Sequence, residues 1–450
     1  MTRIEENAEI TDRAFKRFQE MQTELGMDAK DFSAAKQELS NRLKPLEDEL
    51  DRYLAFEYGI NRSNIRDVNE YEKRFIQWRE SHQPFHWFIE FYGIMNGGGF
   101  DVIIGNPPYV QYGSVKSAYQ IKGYVTDSCN DLYAFIVERS LIIQDAAGRC
   151  GMILPVSLVS TDGFSTLRSL MQDVCNSNWF STYAMRPSKL FEGADKHLCI
   201  WLSKAPKQSE KQNEIYCTKY HRWSSEERDT LFSVINYVRI SDRATPFLSI
   251  PKVGSNTEIS VLKKLHSGQR ALGAQKDRYG KHAFYHTRKL RYFVQFMDRP
   301  PRIIDENGGI RITSELKEIR FEKKLDSDCA LAAYCSTVFF WFFLVFSDCR
   351  NVNKREVDAF PVDLKRMESH LKERLTQLSS CLMQNLQENS EMRQMAYRKY
   401  GKLNVQVFSP RLAKPIVDQI DSFLAKHYGF TEEELDFIIN YDIKYRMGLI

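Results

Sequence analysis

Near the N-terminus apolar residues recur at threes and fours. Leu39, Leu43, Leu46, Leu50 and Leu54 form one stripe of a helix whose other positions are mostly Lys, Glu, Asp, Arg and Asn. Residues 1–92 therefore read as a helical scaffold with no chemistry of its own. The periodicity stops at Gly97-Gly98-Gly99. The apolar run Phe100-Asp-Val-Ile-Ile-Gly105 follows, of strand length and leading straight into two prolines, so a buried strand ending in a loop is predicted there. From this point strand and helix patterns alternate: a helix over 131–144, a strand over 149–154, a helix over 163–175 and a strand over 198–203. Alternation of this kind predicts an α/β sheet whose ligands sit at the carboxyl ends of the strands. Beyond about residue 245 the pattern is less regular and suggests an α+β region, with a charged helix over 362–400 and a short terminal segment. No fixed-period repeat and no low-complexity linker interrupts the chain. Three domains are expected, over 1–92, 93–245 and 246–450.

One stretch, Cys329 to Phe346, is uncharged and strongly apolar. It only reaches the lower limit of the about 17 to 25 residues that span a bilayer, and Asp326, Asp328 and Asp348 flank it without a basic cluster. A buried helix or helix–strand pair is the expectation, with no membrane partner. The polar, charged N-terminus has no apolar segment ahead of a small-residue cleavage site, so no signal peptide is expected. Nine scattered cysteines, none in a Cys-x-x-Cys pair, indicate neither a disulfide framework nor a zinc site. They suit a reducing cytoplasm, and no metal is expected.

The net charge of +4 conceals an asymmetry. Residues 261–324 hold 16 Lys and Arg against 7 Asp and Glu, and the aromatics Tyr279, Phe284, Tyr285, Tyr292, Phe293 and Phe296 are interleaved with them. A field of that sign steers a polyanion, and Lys281, Arg288, Lys289, Arg291 and Arg299 are the candidate DNA contacts. The plainer alternative is a solvated surface over ordinary core aromatics.

Candidate chemistry is concentrated in Asn106-Pro107-Pro108-Tyr109, directly after the predicted strand. The lone pair of an exocyclic amine on a nucleobase is delocalised into the ring, and acceptors for its hydrogens draw it towards a nucleophilic geometry. The Asn106 amide oxygen and the Pro107 carbonyl are two such acceptors, and the prolines fix the backbone that carries them. Tyr109 offers a flat face for a base extruded from a duplex.

In this setting the sequence resembles the amino-methyltransferases of restriction–modification systems, in particular the type IIG-like adenine methylases. Phe100-Asp-Val-Ile-Ile-Gly-Asn-Pro-Pro-Tyr-Val110 is similar to that family's catalytic strand and motif, with Asn at 106 in the form associated with adenine. Gln83 to Phe91 is similar to the segment leading into it, Asn130 to Arg139 to the helix behind it, and Gly148 to Ser157 to the next strand and loop. Leu190 to Trp201 resembles the last catalytic motif, whose aromatic residue, here Phe191, lies against the flipped base. Ser347 to Glu356 and Tyr441 to Met447 resemble parts of the target-recognition region. The resemblance implies a partial Rossmann-like methyltransferase domain followed by an α+β target-recognition domain. It further implies double-stranded DNA as substrate and S-adenosylmethionine as methyl donor, in a restriction–modification or phage-defence setting. Each residue also has a plainer reading: Phe191 as core, Tyr109 as packing, and Asp131 as a helix N-cap with a secondary cofactor role.

The family's glycine-rich cofactor loop between a strand and a helix has no counterpart here. Gly97-Gly98-Gly99 abuts the catalytic strand and opens no helix, and Gly308-Gly309 lies in the basic region. No phosphate-binding loop or nuclease-like acidic cluster is visible either. Two readings stay open: a subunit of a split methyltransferase whose second polypeptide carries the cofactor motif, or a catalytically inactive DNA-binding or specificity subunit of such a system.

Overall fold

The computed structural model describes residue 13 and residues 29–205, 213–240, 247–289, 292–293, 296–313 and 315–448. The chain divides into two compact units. The first comprises Met1–Met152, Leu170–Asn176 and Leu202–Gln212, and the second Ile153–Ser169, Ser177–Trp201 and Asn213–Ile450.

In the first unit the leucine stripe falls on helix α1 (Ala29–Glu57), followed by α2 (Val68–His82). Asp67 caps α2 by accepting the Glu70 N–H. The two helices close over Ala55, Phe75 and Trp78, with Leu54 and Tyr58 at the margin, while Leu46 packs with Ile89. After the three glycines comes strand β1 (Phe100–Gly105), then α3 (Leu132–Ile143) and β2 (Gln144–Pro155). Strands β1 and β2 run parallel, with Ile103 opposite Cys150 and Gly105 opposite Met152. Gly99 permits this join: it sits at φ +119°, and a Cβ there would lie 2.6 Å from the Ile143 carbonyl oxygen, so no side chain fits between β1 and the end of α3. The expected helix over 163–175 is α4 (Ser165–Val174), which crosses the boundary between the units.

The second unit contains β3 (Ser177–Tyr183), most of β4 (Leu198–Lys204), β5 (Glu214–His221) and β6 (Val238–Arg239). They neighbour one another in the order β4-β3-β5-β6, with β3 and β5 parallel and β6 antiparallel. The molecule is thus of mixed α/β class with parallel strands. Further along come α5 (Asn256–His266), β7 (His282–His286), β8 (Phe296–Met297), β9 (Ile303–Asp305) and β10 (Lys317–Phe321). Strands β10-β7-β8 make one small antiparallel sheet. The apolar stretch is a helix pair, α6 (Lys324–Cys335) and α7 (Thr337–Phe346), bent by 63°. Among the described residues no single helix is long and apolar enough to cross a membrane, although this bent pair reaches the required length and composition when taken together. Every residue of α7 is buried, and α7 is the centre of the unit's core.

The expected helix over 362–400 is shorter than the charge pattern suggested. Helix α8 (Ser369–Glu388) ends at Asn389, and the chain then forms a hairpin of β11 (Glu391–Tyr397) and β12 (Gly401–Val407) whose second strand pairs with β9. Helices α9 (Lys414–Tyr428) and α10 (Glu432–Ile439) follow. Among the interleaved aromatics of the basic region, Phe284 and Phe296 are core residues at 1 % exposure, whereas Tyr279 is 84 % exposed.

Two histidines of this unit are buried against aromatic rings: His221 stacks on Tyr183 and His286 on Phe296. Burial pushes both down to about 4. A histidine whose folded pKa is depressed adds stability that is present above the unfolded value near 6.5 and is lost as pH falls through about 4. In an NMR titration, the ring protons of His221 and His286 should not shift above about pH 5, while an exposed histidine would already have titrated. Titration of either near 6.5 would place that ring in water.

Candidate functional site

The Asn-Pro-Pro-Tyr loop leaves the carboxyl end of β1 within the first unit. Asn106 and Pro108 are exposed, Pro107 is buried and Tyr109 is half-buried. The Tyr109 hydroxyl donates to the Asn106 amide oxygen at 2.7 Å. The two residues singled out for base activation and base stacking are therefore already in contact. An amide oxygen has two lone pairs, so Asn106 keeps one for a further donor.

Beyond Tyr109 the chain is fastened to the start of α3. Leu132 donates its N–H to the Val110 carbonyl at 2.9 Å, Tyr112 donates to the Asn130 carbonyl at 3.0 Å, and Gln111 bridges Asp131. Asn130 is left-handed at φ 51°, and its side-chain oxygen accepts the Gly113 N–H at 2.9 Å. Asp131 is the N-cap of α3, accepting weakly from the Tyr133 N–H at 3.5 Å. Its plainer reading is thus realised.

Three anchors were not singled out from sequence. Tyr112 is buried edge-on against Phe135, at 5.2 Å between ring centroids, and its hydroxyl accepts the Ile121 N–H. Asn130 is the second. Glu138, buried on α3, accepts from the Val125 and Thr126 N–H groups and the Thr126 hydroxyl, holding the turn that precedes the helix. A lone acid in Leu132-Tyr-Ala-Phe-Ile-Val-Glu-Arg139 was the available signal, since a carboxylate on an apolar helix must be satisfied where it is buried. The helical scaffold also grips this region: the Tyr58 hydroxyl donates to the Gln120 carbonyl and the Lys122 ammonium to the Glu57 carbonyl, each at 2.8 Å. A cleft of about 430 Å³ lies there, lined by Tyr58, Trp78, His82, Lys116 and Tyr119 among others.

Phe191 belongs to the second unit and is half-buried in the turn before β4. The Arg228 guanidinium fixes that turn by donating to the Lys189 and Leu190 carbonyls, and Leu190 packs on the core of Tyr183, Trp223 and Leu231. In the same motif His197 is pushed down to about 4, chiefly by burial, and its Nδ1 lies 2.6 Å from the Tyr220 hydroxyl. It is held neutral as a structural ring.

Of the candidate DNA contacts, Lys281 is exposed and 3.4 Å from Glu322, and Arg299 spends its guanidinium on both oxygens of Asp298, each at 2.9 Å. Arg288 donates to the Asn353 side chain at 3.3 Å, and Lys289 bridges Asn351 through its backbone. Arg291 lies outside the described residues. Pairing of this kind reduces the field that the bare count of charges suggested.

For S-adenosylmethionine the residues present do not make a complete site. Among the described residues no glycine-rich turn leads from a strand into a helix, and Asp131 is engaged as a cap. The edge of β1 is the other notable feature. Among the described residues β1 pairs with β2 alone, and Val102 and Ile104 are 54 % and 81 % exposed.

Comparison with known proteins agrees with the motif. Residues 22–191 match the family described as Eco57I restriction-modification methylase. Over 189 residues, 41 % of this chain, the sequence is 32 % identical to a putative type II restriction enzyme and methyltransferase of Methanocaldococcus jannaschii, of whose length the match spans 15 %. Among solved structures, the type IIL restriction-modification enzyme MmeI in complex with DNA is similar at 11 % identity and a TM-score of 0.39, covering 78 % of this chain and 57 % of that one. The type IIG restriction endonuclease BpuSI is similar at 11 % identity and a TM-score of 0.28, covering 79 % and 54 %. The family match is the informative one, because the matched residues contain β1, the Asn-Pro-Pro-Tyr loop and α3: this part of the chain is similar to a restriction-modification methylase of the Eco57I family.

Proposed function

We propose that this chain is the catalytic and target-recognition part of a site-specific DNA methyltransferase that modifies the 6-amino group of adenine, with S-adenosylmethionine as methyl donor. The observation that carries the reading is the loop at the carboxyl end of β1, where Asn106 and Tyr109 meet at 2.7 Å on a backbone stiffened by two prolines. In this reading the Asn106 amide oxygen and the Pro107 carbonyl accept the two hydrogens of the target amine. Its lone pair turns out of conjugation and becomes available for attack, while Tyr109 stacks on the extruded ring. The hydrogen bonds from Leu132 and Tyr112 hold the loop ready before substrate arrives.

The cofactor pocket is completed from outside this sequence by a part that carries the glycine-rich turn, and a second polypeptide is the source this reading names. Two features support this. The sequence lacks that turn, and β1, a largely apolar parallel strand, presents an open edge. Parallel strands are ordinarily covered on both faces, and an edge strand that exposes apolar side chains, as β1 does at Val102 and Ile104, is a liability that proteins pair or shield. An inactive specificity subunit would have no need of an intact Asn-Pro-Pro-Tyr.

Calorimetry tests the split. The chain alone should bind S-adenosylmethionine poorly, and addition of the partner should restore binding. Micromolar binding by the isolated chain would locate a complete cofactor site within it and remove the need for a partner.

A further inference from the structure

The hairpin of β11 and β12 stands where the charge pattern suggested a continuous helix, and its exposure is unusual. Strand β11 is a sheet edge, and six of its seven residues are exposed, so neither of its faces is buried in a core. The base of the ribbon is anchored where Leu403–Val405 pair with β9 and Leu403 is buried, but that burial does not reach the two-stranded tip, and two-stranded hairpins are marginal on their own. Residues 392–407 carry Arg393, Arg398, Lys399 and Lys402 and no Asp or Glu. At the tip Tyr397 and Tyr400 are 41 % and 51 % exposed, and Lys399 and Arg311 each lie 5.3 Å from the centre of the Tyr400 ring.

The acids nearby are already engaged. Glu391 pairs with Arg393, Glu306 accepts the Lys402 backbone N–H at 3.1 Å, and Asp305 lies 3.5 Å from Arg311. Basic residues on an edge strand can serve merely to block strand addition. That role does not explain Arg398 and Lys399, which sit in the turn between Tyr397 and Gly401 and off the ladder. A two-stranded ribbon is narrow enough for the major groove of a duplex, about 12 Å wide.

We propose that the β11–β12 ribbon is a duplex-DNA contact element that enters a groove with its tip, where Arg398 and Lys399 bind phosphates. The proposal rests on the DNA-methyltransferase reading above. It adds a binding element that lies well along the chain from the basic stretch over 261–324.

The test compares the full chain, with its partner where one is required for binding, against the double variants Arg398→Ala/Lys399→Ala and Arg398→Glu/Lys399→Glu. Affinity for a short duplex is measured across a salt series. The alanine pair should weaken binding by about tenfold or more and flatten the salt slope by about two units, close to one for each phosphate no longer neutralised. Thermal unfolding should stay unchanged, because both residues are exposed. Wild-type affinity and slope in both variants would overturn the assignment. So would a loss confined to the glutamate pair, which would mean that the residues feel the DNA field without touching it. If the wild-type assembly bound no duplex at all, the DNA reading itself would fall, an outcome distinct from failure of the ribbon alone.

Discussion

Replacing Asn106 by alanine is expected to slow methyl transfer by the assembled enzyme about 100- to 1,000-fold, the usual cost of losing one preorganised hydrogen-bonding group at a reacting centre. Duplex affinity should survive, because phosphate contacts supply most of it. The hydrogen bond at 2.7 Å between the Tyr109 hydroxyl and the Asn106 oxygen makes the expectation sharper. Tyr109→Phe keeps the stacking face and removes only the hydrogen bond that orients Asn106, so it should retain most activity. Tyr109→Ala also removes the face, and should weaken capture of an extruded base by about 1 to 3 kcal/mol. Single-turnover transfer to adenine, run beside binding to a duplex mismatched at the target, separates the two effects. Unchanged methylation in Asn106→Ala would make the loop structural and end the methyltransferase reading.

The strand and the loop were legible because each rests on local chemistry, although the strand expected to be buried has no buried residue, with Val102 and Ile104 exposed on an open edge. A six-residue strand, apolar apart from Asp101, leads through Asn106 into two prolines, and few residue sets can present acceptors in that way. The cap at Asp131 was legible for the same reason. Pairings between side chains at different positions were not. The sequence does not say that Tyr109 turns back onto Asn106, or that Glu138 gathers two amides and a hydroxyl. The ribbon was missed because Glu391-Met-Arg-Gln-Met-Ala396 is made of good helix formers and follows a genuine helix. Pairing with β12, which itself pairs with β9, overrides that weak local preference. Strand β3, Ser177-Asn-Trp-Phe-Ser-Thr-Tyr183, carried aromatic and β-branched residues that could have signalled it.

Asp421→Ala is expected to cost about 3 to 5 kcal/mol of stability, the range for breaking a buried charge constellation from one side. Asp421, on α9, is fully buried and accepts the Thr337 and Val338 N–H groups at 2.8 and 3.3 Å, thereby capping α7. Its charge also attracts Arg446, itself buried between the rings of Phe293 and Phe340 and donating to the Thr337 hydroxyl. Alanine leaves two amides at the start of α7 without their acceptor and strips Arg446 of a counter-charge. Asparagine should behave differently. Burial raises the Asp421 carboxyl to about 6, so the charged form is less favoured in the folded protein than in the unfolded chain, and asparagine imitates the neutral form while still accepting from both amides. A carboxyl raised in this way contributes stability that is complete below the unfolded value near 3.8 and is lost as pH rises through about 6. This is opposite in sign to the buried histidines and overlaps their range. Chemical denaturation from pH 5 to pH 8 should therefore find Asp421→Asn close to wild type at neutral pH and less dependent on pH, with Asp421→Ala far below both. An asparagine variant as damaged as the alanine one would show that the Arg446 counter-charge, and not the cap on α7, is what the core requires of Asp421.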